Sequence, residues 1–206
     1  MEVAEVKLGR REKNKQQNRK AILDAGLQVF SEIGFERATI SDVVKASGLS
    51  VGTFYNYYGD KESVFKELVD RFVADGQQAL SKAREKADSL DSFVSDAYHA
   101  FGDILFQSPE MQQLMVKNPQ AFRQFLFASP KMERIFSEME ADMEEGIRAG
   151  LLPPFPVRLM VAAMIGAGAE VYAFDGGASN ASIAEKSRFL SDVFVYGIKA
   201  LNKKEE

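Results

Sequence analysis

The sequence predicts an all-α protein, with a small N-terminal domain of three helices followed by a larger helical domain. Apolar residues recur at helical spacing in most segments, as in Val64, Leu68 and Phe72. No run of four to eight residues alternates in the manner of a half-buried strand. Three X-Pro pairs fit helix starts, because proline at the first helical position gives up no hydrogen bond. We therefore expect about nine helices.

The composition excludes several classes of protein. The 206 residues contain no cysteine, which rules out a disulfide scaffold and cysteine-based zinc sites. His99 is the only histidine, so a histidine-rich metal site is excluded and we predict no metal and no cofactor. No apolar run approaches the ~18 residues that a membrane helix needs, and the N-terminus lacks a secretory h-region. We therefore expect a cytoplasmic protein with no membrane contact.

The net charge of −4 is unevenly distributed along the chain. Residues 1–61 carry +2 and the remainder carries −6. Within residues 7–20, seven lysines and arginines face only Glu12. Such a basic arm can follow phosphates or reach into a minor groove, or it can be a solvated, disordered tail. The acidic remainder would repel a nucleic acid and direct it to one end of the molecule.

The first helix is expected over residues ~15–33, where Ile22, Val29 and Ile33 belong to one apolar stripe. Gly34 and Phe35 end it. This helix gives the N-terminal domain an apolar face on which the next two helices can pack.

Two short helices joined by a glycine-containing turn follow the first helix. Thr39 and Asp42 form a capping-box pattern at the start of the second helix. Gly48 can take the left-handed conformation that ends that helix. Ser50 is a second N-cap, and it opens a helix predicted over Val51–Tyr58. This arrangement is that of a helix-turn-helix, whose second helix enters the major groove of DNA.

The third helix has an inner and an outer side. Phe54 and Tyr58 are four residues apart and face inward. The alternative, that the whole aromatic run packs internally, would make a poor core, because three tyrosines and an asparagine lie within five positions. The outward or flanking residues are Gly52, Thr53, Tyr55, Asn56 and Tyr57.

The outward residues have side chains that suit DNA contacts. The hydroxyls of Thr53 and Tyr55 can bind phosphate oxygens, and Gly52 lets the backbone approach the duplex closely. Asn56 can pair with an adenine edge through two hydrogen bonds. Tyr57 offers both a ring and a hydroxyl. The sequence thus assigns separate residues to phosphate binding and to base recognition.

This part of the chain resembles the DNA-binding domain of TetR-family transcriptional regulators. The resemblance covers about the first quarter of the chain and depends on four stretches: Phe30 to Phe35, Thr39 to Ile40, Ser47 to Tyr58 and Gly59 to Glu62.

The resemblance implies specific roles for residues of this sequence. Those matching Thr53, Tyr55 and Lys61 usually hold phosphates, and Thr39 is also expected at the DNA surface. The residues expected to face bases are Ser50, Val51, Asn56 and Tyr57. Lys61 lies beside the free amides of a helix start, where an anion is favoured. Its alternative is an ordinary exposed lysine.

Downstream of the helix-turn-helix we expect a linking helix and a larger domain. The limits predicted are 1–61 for the basic arm and helix-turn-helix, 62–86 for the linking helix, and 87–206 for a regulatory and dimerisation domain. Asp60 is a plausible cap for the linking helix, and Ser89 or Asp91 for the one after it. Pro109, Pro119 and Pro130 begin the next three helices.

The last two helices indicate a homodimer through residues ~157–201. The first is apolar nearly all round and rich in small residues, and the second carries a wide apolar stripe. A symmetric four-helix bundle would cover both, as in TetR-like proteins. The alternative is that both helices are central to the core of one monomer.

The C-terminal region is rich in phenylalanine and methionine, which suits a pocket for a small, mainly apolar effector. The same residues can equally be ordinary core. Arg123 could meet an anionic head group. The residues predicted to line the pocket are Phe93, His99, Phe106, Arg123, Phe127, Met139, Met164 and Tyr172.

The resemblance implies a repressor that an effector releases from a near-palindromic operator on double-stranded DNA. In TetR-like proteins the effector shifts the linking helix. The alternative is a ligand-independent DNA-binding or protein-recruiting module with the same N-terminal domain. An enzyme is not expected, because no serine lies in a nucleophile-elbow pattern beside the single histidine.

Overall fold

The computed structural model describes residues 9–106, 108–173 and 181–201, and within them the protein consists of ten α-helices and no strands. This confirms the all-α prediction, with one helix more than expected. The helices are α1 Arg10–Ile33, α2 Ile40–Ser47, α3 Val51–Tyr55, α4 Lys61–Lys86, α5 Leu90–Phe106, α6 Pro109–Lys117, α7 Pro119–Phe127, α8 Pro130–Arg148, α9 Val157–Ala173 and α10 Ile183–Leu201.

The chain divides into two compact units, with the boundary between Leu68 and Val69 inside α4. The limits predicted from sequence, at residues 61 and 86, remain a prediction. Helix α4 contributes its first two turns to the N-terminal unit and its remainder to the C-terminal unit.

The N-terminal unit is built on three phenylalanines. The ring centroids of Phe30 and Phe35 lie 5.6 Å apart, and that of Phe65 lies 5.5 Å and 4.7 Å from them. These separations are those of favourable edge-on and tilted aromatic pairs. At Gly26, a Cβ atom would stand only 2.6 Å from Cγ1 of Val64. Glycine there allows α1 and α4 to approach each other closely.

The C-terminal unit contains three proline-initiated helices, of which α6 and α7 have nine residues each and α8 has 19. Ser108 caps α6 by accepting a hydrogen bond from the Met111 amide. Ser89 caps α5 by accepting a hydrogen bond from the Ser92 amide at 3.2 Å. Of the two residues expected as a possible cap, Ser89 and Asp91, the structure therefore uses Ser89. Ser129 precedes α8 but makes no cap, because its hydroxyl donates instead to Asp70 of α4 at 2.6 Å. That bond fixes the start of α8 on α4.

Candidate nucleic-acid interface and apolar cavity

Helix α2 begins and ends as the sequence predicts. The Thr39 hydroxyl accepts from the Asp42 amide, and the Asp42 carboxylate accepts from the Thr39 amide at 2.9 Å, completing a capping box. The hydrogen bond from Thr39 lowers the pKa of Asp42 below its usual value. Gly48 closes the helix at φ 68°, in the left-handed region.

Helix α3 is capped as expected but ends earlier than predicted. The Ser50 hydroxyl accepts from the Thr53 amide at 3.1 Å and lies 2.8 Å from the Thr53 hydroxyl. The helix stops at Tyr55 rather than Tyr58, because the amides of Asn56 and Tyr57 bond three residues back and tighten the last turn. Asn56 and Tyr57 therefore lie in the turn that follows α3, the expected recognition helix.

The inner and outer sides of α3 are sharply divided. Phe54 and Tyr58 are buried, as predicted, whereas Val51 is 53% and Tyr55 54% exposed. A Cβ at Gly52 would approach only the Ser50 hydroxyl, at 4.0 Å. The fold itself therefore does not require glycine there. Of the remaining predicted DNA contacts, the exposed ones are Thr39, Ser50 and Asn56 and the half-buried ones are Thr53, Tyr57 and Lys61.

A polar network anchors the chain after α3 to α1 and α4. The Tyr58 hydroxyl donates to Glu67 at 2.8 Å, and Arg19 donates to the same carboxylate oxygen at 2.7 Å. Burial raises the pKa of Tyr58 to about 12, so the hydroxyl keeps its proton. The Asn18 amide donates to the Tyr57 hydroxyl at 3.4 Å. Sequence reasoning missed these partners, since they lie 9 to 48 residues apart along the chain.

Lys61 is more constrained than the sequence suggests. Its ammonium donates to the carbonyl oxygens of Phe35, Glu36 and Ala38, at 2.8, 3.2 and 3.0 Å. It also lies 4.7 Å from the centroid of the Phe35 ring. Asp60 caps α4, accepting from the Ser63 amide at 2.7 Å. The phosphate contact of Lys61 stays a prediction, and a phosphate there would have to share the ammonium with these carbonyls.

The basic segment is a helix from Arg10 onward, not an extended arm or a disordered tail. Helix α1 starts about five residues before the predicted limit. The earlier start had no apolar signal, because the segment from Arg10 to Gln17 is exposed throughout. Lys7 lies outside the described residues.

The C-terminal unit contains a partly open apolar cavity of about 130 Å³. Helices α4 to α9 all contribute to it. The Tyr98 hydroxyl, a polar group in the wall, donates to the Met164 carbonyl oxygen at 3.0 Å. Burial raises the pKa of Tyr98. The lining includes Phe72, Val73, Gly76, Tyr98, Phe101, Met115, Phe122, Leu126, Ile135, Met139, Met164 and Gly168.

Two of the eight residues predicted to line a pocket, Met139 and Met164, line this cavity. Three others lie at the surface: His99 is exposed with Nδ1 2.8 Å from the Ser95 carbonyl oxygen, Arg123 pairs with Glu170, and Phe127 is exposed.

Of the other predicted residues, Phe93 is buried but does not line this cavity. The side chain of Phe106 lies outside the described part of the structure. Helical periodicity identifies an apolar face but not which neighbour that face meets, so the sequence alone does not show which phenylalanines line this cavity.

Tyr172 belongs to a polar network beside the cavity. Its hydroxyl donates to the Tyr98 carbonyl oxygen at 2.9 Å and lies 2.7 Å from the Ser187 hydroxyl. Burial raises the pKa of Tyr172 to about 12. At Gly102, a Cβ would stand 2.5 Å from Ile183 and 2.8 Å from the Ser187 hydroxyl. Glycine at that position lets α5 and α10 pack closely enough for the network to form.

Helices α9 and α10 pack together and leave two apolar stripes exposed. On α9, Leu159 is 70% exposed, and Ala162, Ala163 and Gly166 follow it at helical spacing. On α10, the exposed apolar residues fall four and then three apart: Phe189 at 60%, Val193 at 47% and Tyr196 at 68%.

Among the described residues, no group of three or more histidine, aspartate or glutamate side chains is placed to hold a metal ion. In the same parts of the chain, no helix is both long and apolar enough to cross a membrane.

Helices α1, α2 and α3 have the arrangement of a helix-turn-helix domain. A short turn joins α2 to α3, and α3 is capped at its start and keeps its outer face exposed. Residues 22–68 match the family model described as bacterial regulatory proteins, tetR family. Over 72 residues the chain is 35% identical to the HTH-type transcriptional regulator YfiR of Bacillus subtilis, covering 35% of each protein. The chain thus spans about a third of the length of the curated relatives it matches.

Two solved structures share the fold over almost their whole length. One is described as a TetR-family transcriptional regulator from Syntrophomonas wolfei, with 19% identity, a TM-score of 0.77, and coverage of 90% of this chain and 96% of that one. The other is the regulator FadR of Bacillus subtilis in complex with stearoyl-CoA. It has 17% identity, a TM-score of 0.76, and coverage of 87% and 98%.

The predicted resemblance is therefore confirmed over the N-terminal part of the chain, which matches the tetR-family model and a curated HTH-type transcriptional regulator. The family and these relatives are regulators rather than enzymes, in agreement with the expectation for this chain.

Proposed function

We propose that this protein is a homodimeric transcriptional repressor that leaves a near-palindromic operator when it binds a small, mainly apolar effector. The observation that carries the proposal is the outer face of α3. It leaves Val51 and Tyr55 half exposed on a short helix whose inner face is anchored by the buried Phe54 and Tyr58. A helix held in this way can enter a major groove without rearrangement.

The DNA contacts divide into positioning and recognition. Thr53, Tyr55 and Lys61 bind phosphates, with Thr39 at the edge of the same surface. Gly52 lets the backbone approach the duplex closely, since among the described residues a Cβ there would meet only the Ser50 hydroxyl, at 4.0 Å. The residues that face bases are Ser50, Val51, Asn56 and Tyr57. The Ser50 hydroxyl already bonds to the Thr53 amide and hydroxyl, and these capping bonds compete with a contact between that hydroxyl and a base. Ser50 therefore contacts DNA chiefly through its position at the start of α3.

The dimer forms through α9 and α10. Large apolar side chains at Leu159, Phe189, Val193 and Tyr196 are exposed on two adjacent helices. An exposed apolar patch of this kind marks an interaction surface. A two-fold axis would place the same stripes of a second copy against it, giving a four-helix bundle with small residues at the close contacts. Two recognition helices related by this axis would require an operator with matching symmetry.

The effector binds in the apolar cavity of the C-terminal unit. The wall offers aromatic, aliphatic and methionine side chains, and the Tyr98 hydroxyl is already satisfied by the Met164 carbonyl. An apolar tail fits this lining, and a neighbour in fold, FadR, has been solved with stearoyl-CoA. A cavity of about 130 Å³ is close to the ~150 Å³ that holds benzene in an engineered protein. A longer tail therefore requires the surrounding helices to move apart.

That movement provides the switch. Helix α4 lines the cavity through Phe72, Val73 and Gly76, and the same helix begins at Lys61 in the N-terminal unit. An effector that displaces α4 changes the separation of the two recognition helices. A coupling free energy of ~1–3 kcal/mol, typical of such systems, would weaken operator binding about 5- to 150-fold.

The test measures operator affinity by fluorescence anisotropy, with and without a series of saturated acyl-CoA thioesters and free fatty acids. The expected result is tight binding that falls at least about fivefold with one chain-length class. Tight binding unaffected by any apolar ligand or by cell extract would instead support a ligand-independent DNA-binding module. Absence of binding to any duplex would overturn the proposal.

A further inference from the structure

The first two turns of α1 form a strongly basic surface outside the helix-turn-helix. Arg10, Arg11, Lys13 and Lys15 are all exposed, and Glu12 is the one acidic residue among them. In the described part of the chain these four cations make no ion pair, whereas Arg19 pairs with Glu67 and Lys20 with Asp24. The segment therefore presents a row of unneutralised positive charge.

This surface is costly for an isolated helix. A helical segment that is polar all round gains little from packing, and its apolar face begins only at Ile22. Arg11 and Lys15 are like charges four residues apart, a spacing that destabilises a helix. Cations in the first turn also oppose the helix dipole. An anionic partner would remove each of these costs.

The orientation of the basic face follows from a contact at Asn18. Its amide donates to the hydroxyl of Tyr57, in the turn directly after the recognition helix. At about 100° per residue, Arg11 lies ~20° and Lys15 ~60° from Asn18 around the helix axis. Lys13 and Lys20 lie ~140° and ~160° away, on the opposite side. The face that meets the recognition segment thus continues outward with two cations.

We propose that Arg11 and Lys15 bind the phosphate backbone of the same duplex that α3 occupies, outside the base pairs that α3 reads. The inference depends on the DNA-binding function proposed above and adds a second contact surface to it. Continuity with Tyr57 and the excess of positive charge identify the occupant as the operator duplex. Because this basic segment is helical, it binds the phosphates from outside the minor groove. A helix 10–12 Å across cannot enter a minor groove about 6 Å wide.

The first test compares two double variants with the same change in charge. Arg11→Gln with Lys15→Gln removes the proposed contacts, and Lys13→Gln with Lys20→Gln removes two cations from the opposite face. Losing the exposed Lys20–Asp24 pair has little effect on stability. Affinity for the duplex that the wild type selects from a random library is measured by anisotropy from 50 to 300 mM salt. Circular dichroism and thermal unfolding check that both variants fold.

The Arg11→Gln, Lys15→Gln variant should lower the slope of log affinity against log salt by ~3.6 for the homodimer, since two contacts on each protomer make four and each phosphate contact contributes about 0.9. It should bind at least about tenfold more weakly at 0.1 M salt, while the opposite-face variant keeps nearly the wild-type slope. Equal losses in both variants would show a diffuse charge effect and overturn the proposal, as would no loss in either. A wild type that binds no duplex would fail the proposed function instead.

The second test varies the DNA. Duplexes trimmed to the selected motif are compared with duplexes that keep ten flanking base pairs on each side. The wild type should prefer the longer duplex, and the Arg11→Gln, Lys15→Gln variant should bind the two nearly equally. A wild type indifferent to the flanks would place the cations over the motif itself, contrary to the proposal.

Discussion

Gly76 offers a direct way to fill the cavity without disturbing its walls. It lies within α4 and lines the cavity, and a Cβ placed there would have no heavy atom within 4 Å. Two substitutions separate the effects of helix propensity and of filling. Gly76→Ala changes the helix but occupies little volume, whereas Gly76→Leu also places an isobutyl group against the apolar lining. The alanine variant therefore serves as the control for the leucine variant.

The magnitudes follow from helix propensity and buried volume. Alanine in place of glycine inside a helix should raise the free energy of unfolding by about 1 kcal/mol. Leucine adds three further carbon atoms, worth up to ~0.8 kcal/mol each if fully buried. A void of about 130 Å³, at ~24 cal/mol per Å³, corresponds to ~3 kcal/mol, which sets a similar ceiling. The leucine variant should therefore be ~1–2 kcal/mol more stable than the alanine variant.

The assay is urea denaturation of both variants, with and without the acyl ligand that lowers operator affinity. A ligand at 100 times its Kd stabilises the folded state by ~2.7 kcal/mol. The alanine variant should keep this gain and the leucine variant should lose most of it. A leucine variant no more stable than the alanine variant, or one that binds the ligand as tightly, would refute the assignment of this cavity as the effector site.

Three further predictions concern the N-terminal unit. Gly26→Ala should lower the free energy of unfolding by ~1–3 kcal/mol, opposite in sign to Gly76→Ala, because its Cβ would stand 2.6 Å from Val64; urea denaturation measures both. The folded-state pKa of Asp42 is lowered, so its contribution to stability is present above the unfolded value of ~3.9 and is lost as pH falls through the folded value. Thr39→Ala should make the acid loss of stability between pH 5 and 2 shallower, and an unchanged profile would contradict this. Tyr55→Phe should weaken binding to all duplexes alike, whereas Asn56→Ala should relax base choice at one position, as read by competition with substituted operators.

Helix starts were predictable from the sequence because their signals are local. Thr39 and Ser50 accept the amide hydrogen bonds that their positions predict, and Gly48 takes the left-handed conformation. Pro109 and Pro119 each open a helix. These features depend on residues within one turn of each other, so no knowledge of the tertiary structure is needed.

Features that leave no apolar period in the sequence, that depend on a local change in hydrogen bonding, or that distant contacts set were not predictable. The polar start of α1 has no apolar period to reveal it, and α3 ends early through a change in its own hydrogen bonding. The carbonyl cage around Lys61 draws on residues 23 to 26 positions away. The cavity is lined by six helices, and the choice of Met139 but not Phe127 depends on how α8 and its neighbours turn toward one another.

The central claim, that two copies of this chain read one symmetric site, is tested most directly by selection from a random duplex library. The measurement combines the enriched sequence with the mass of the complex by light scattering. We expect a near-palindrome bound by an even number of protomers, with each half-site contacted by one α3. Enrichment of an asymmetric site bound by a single protomer, or no enrichment at low salt, would contradict it.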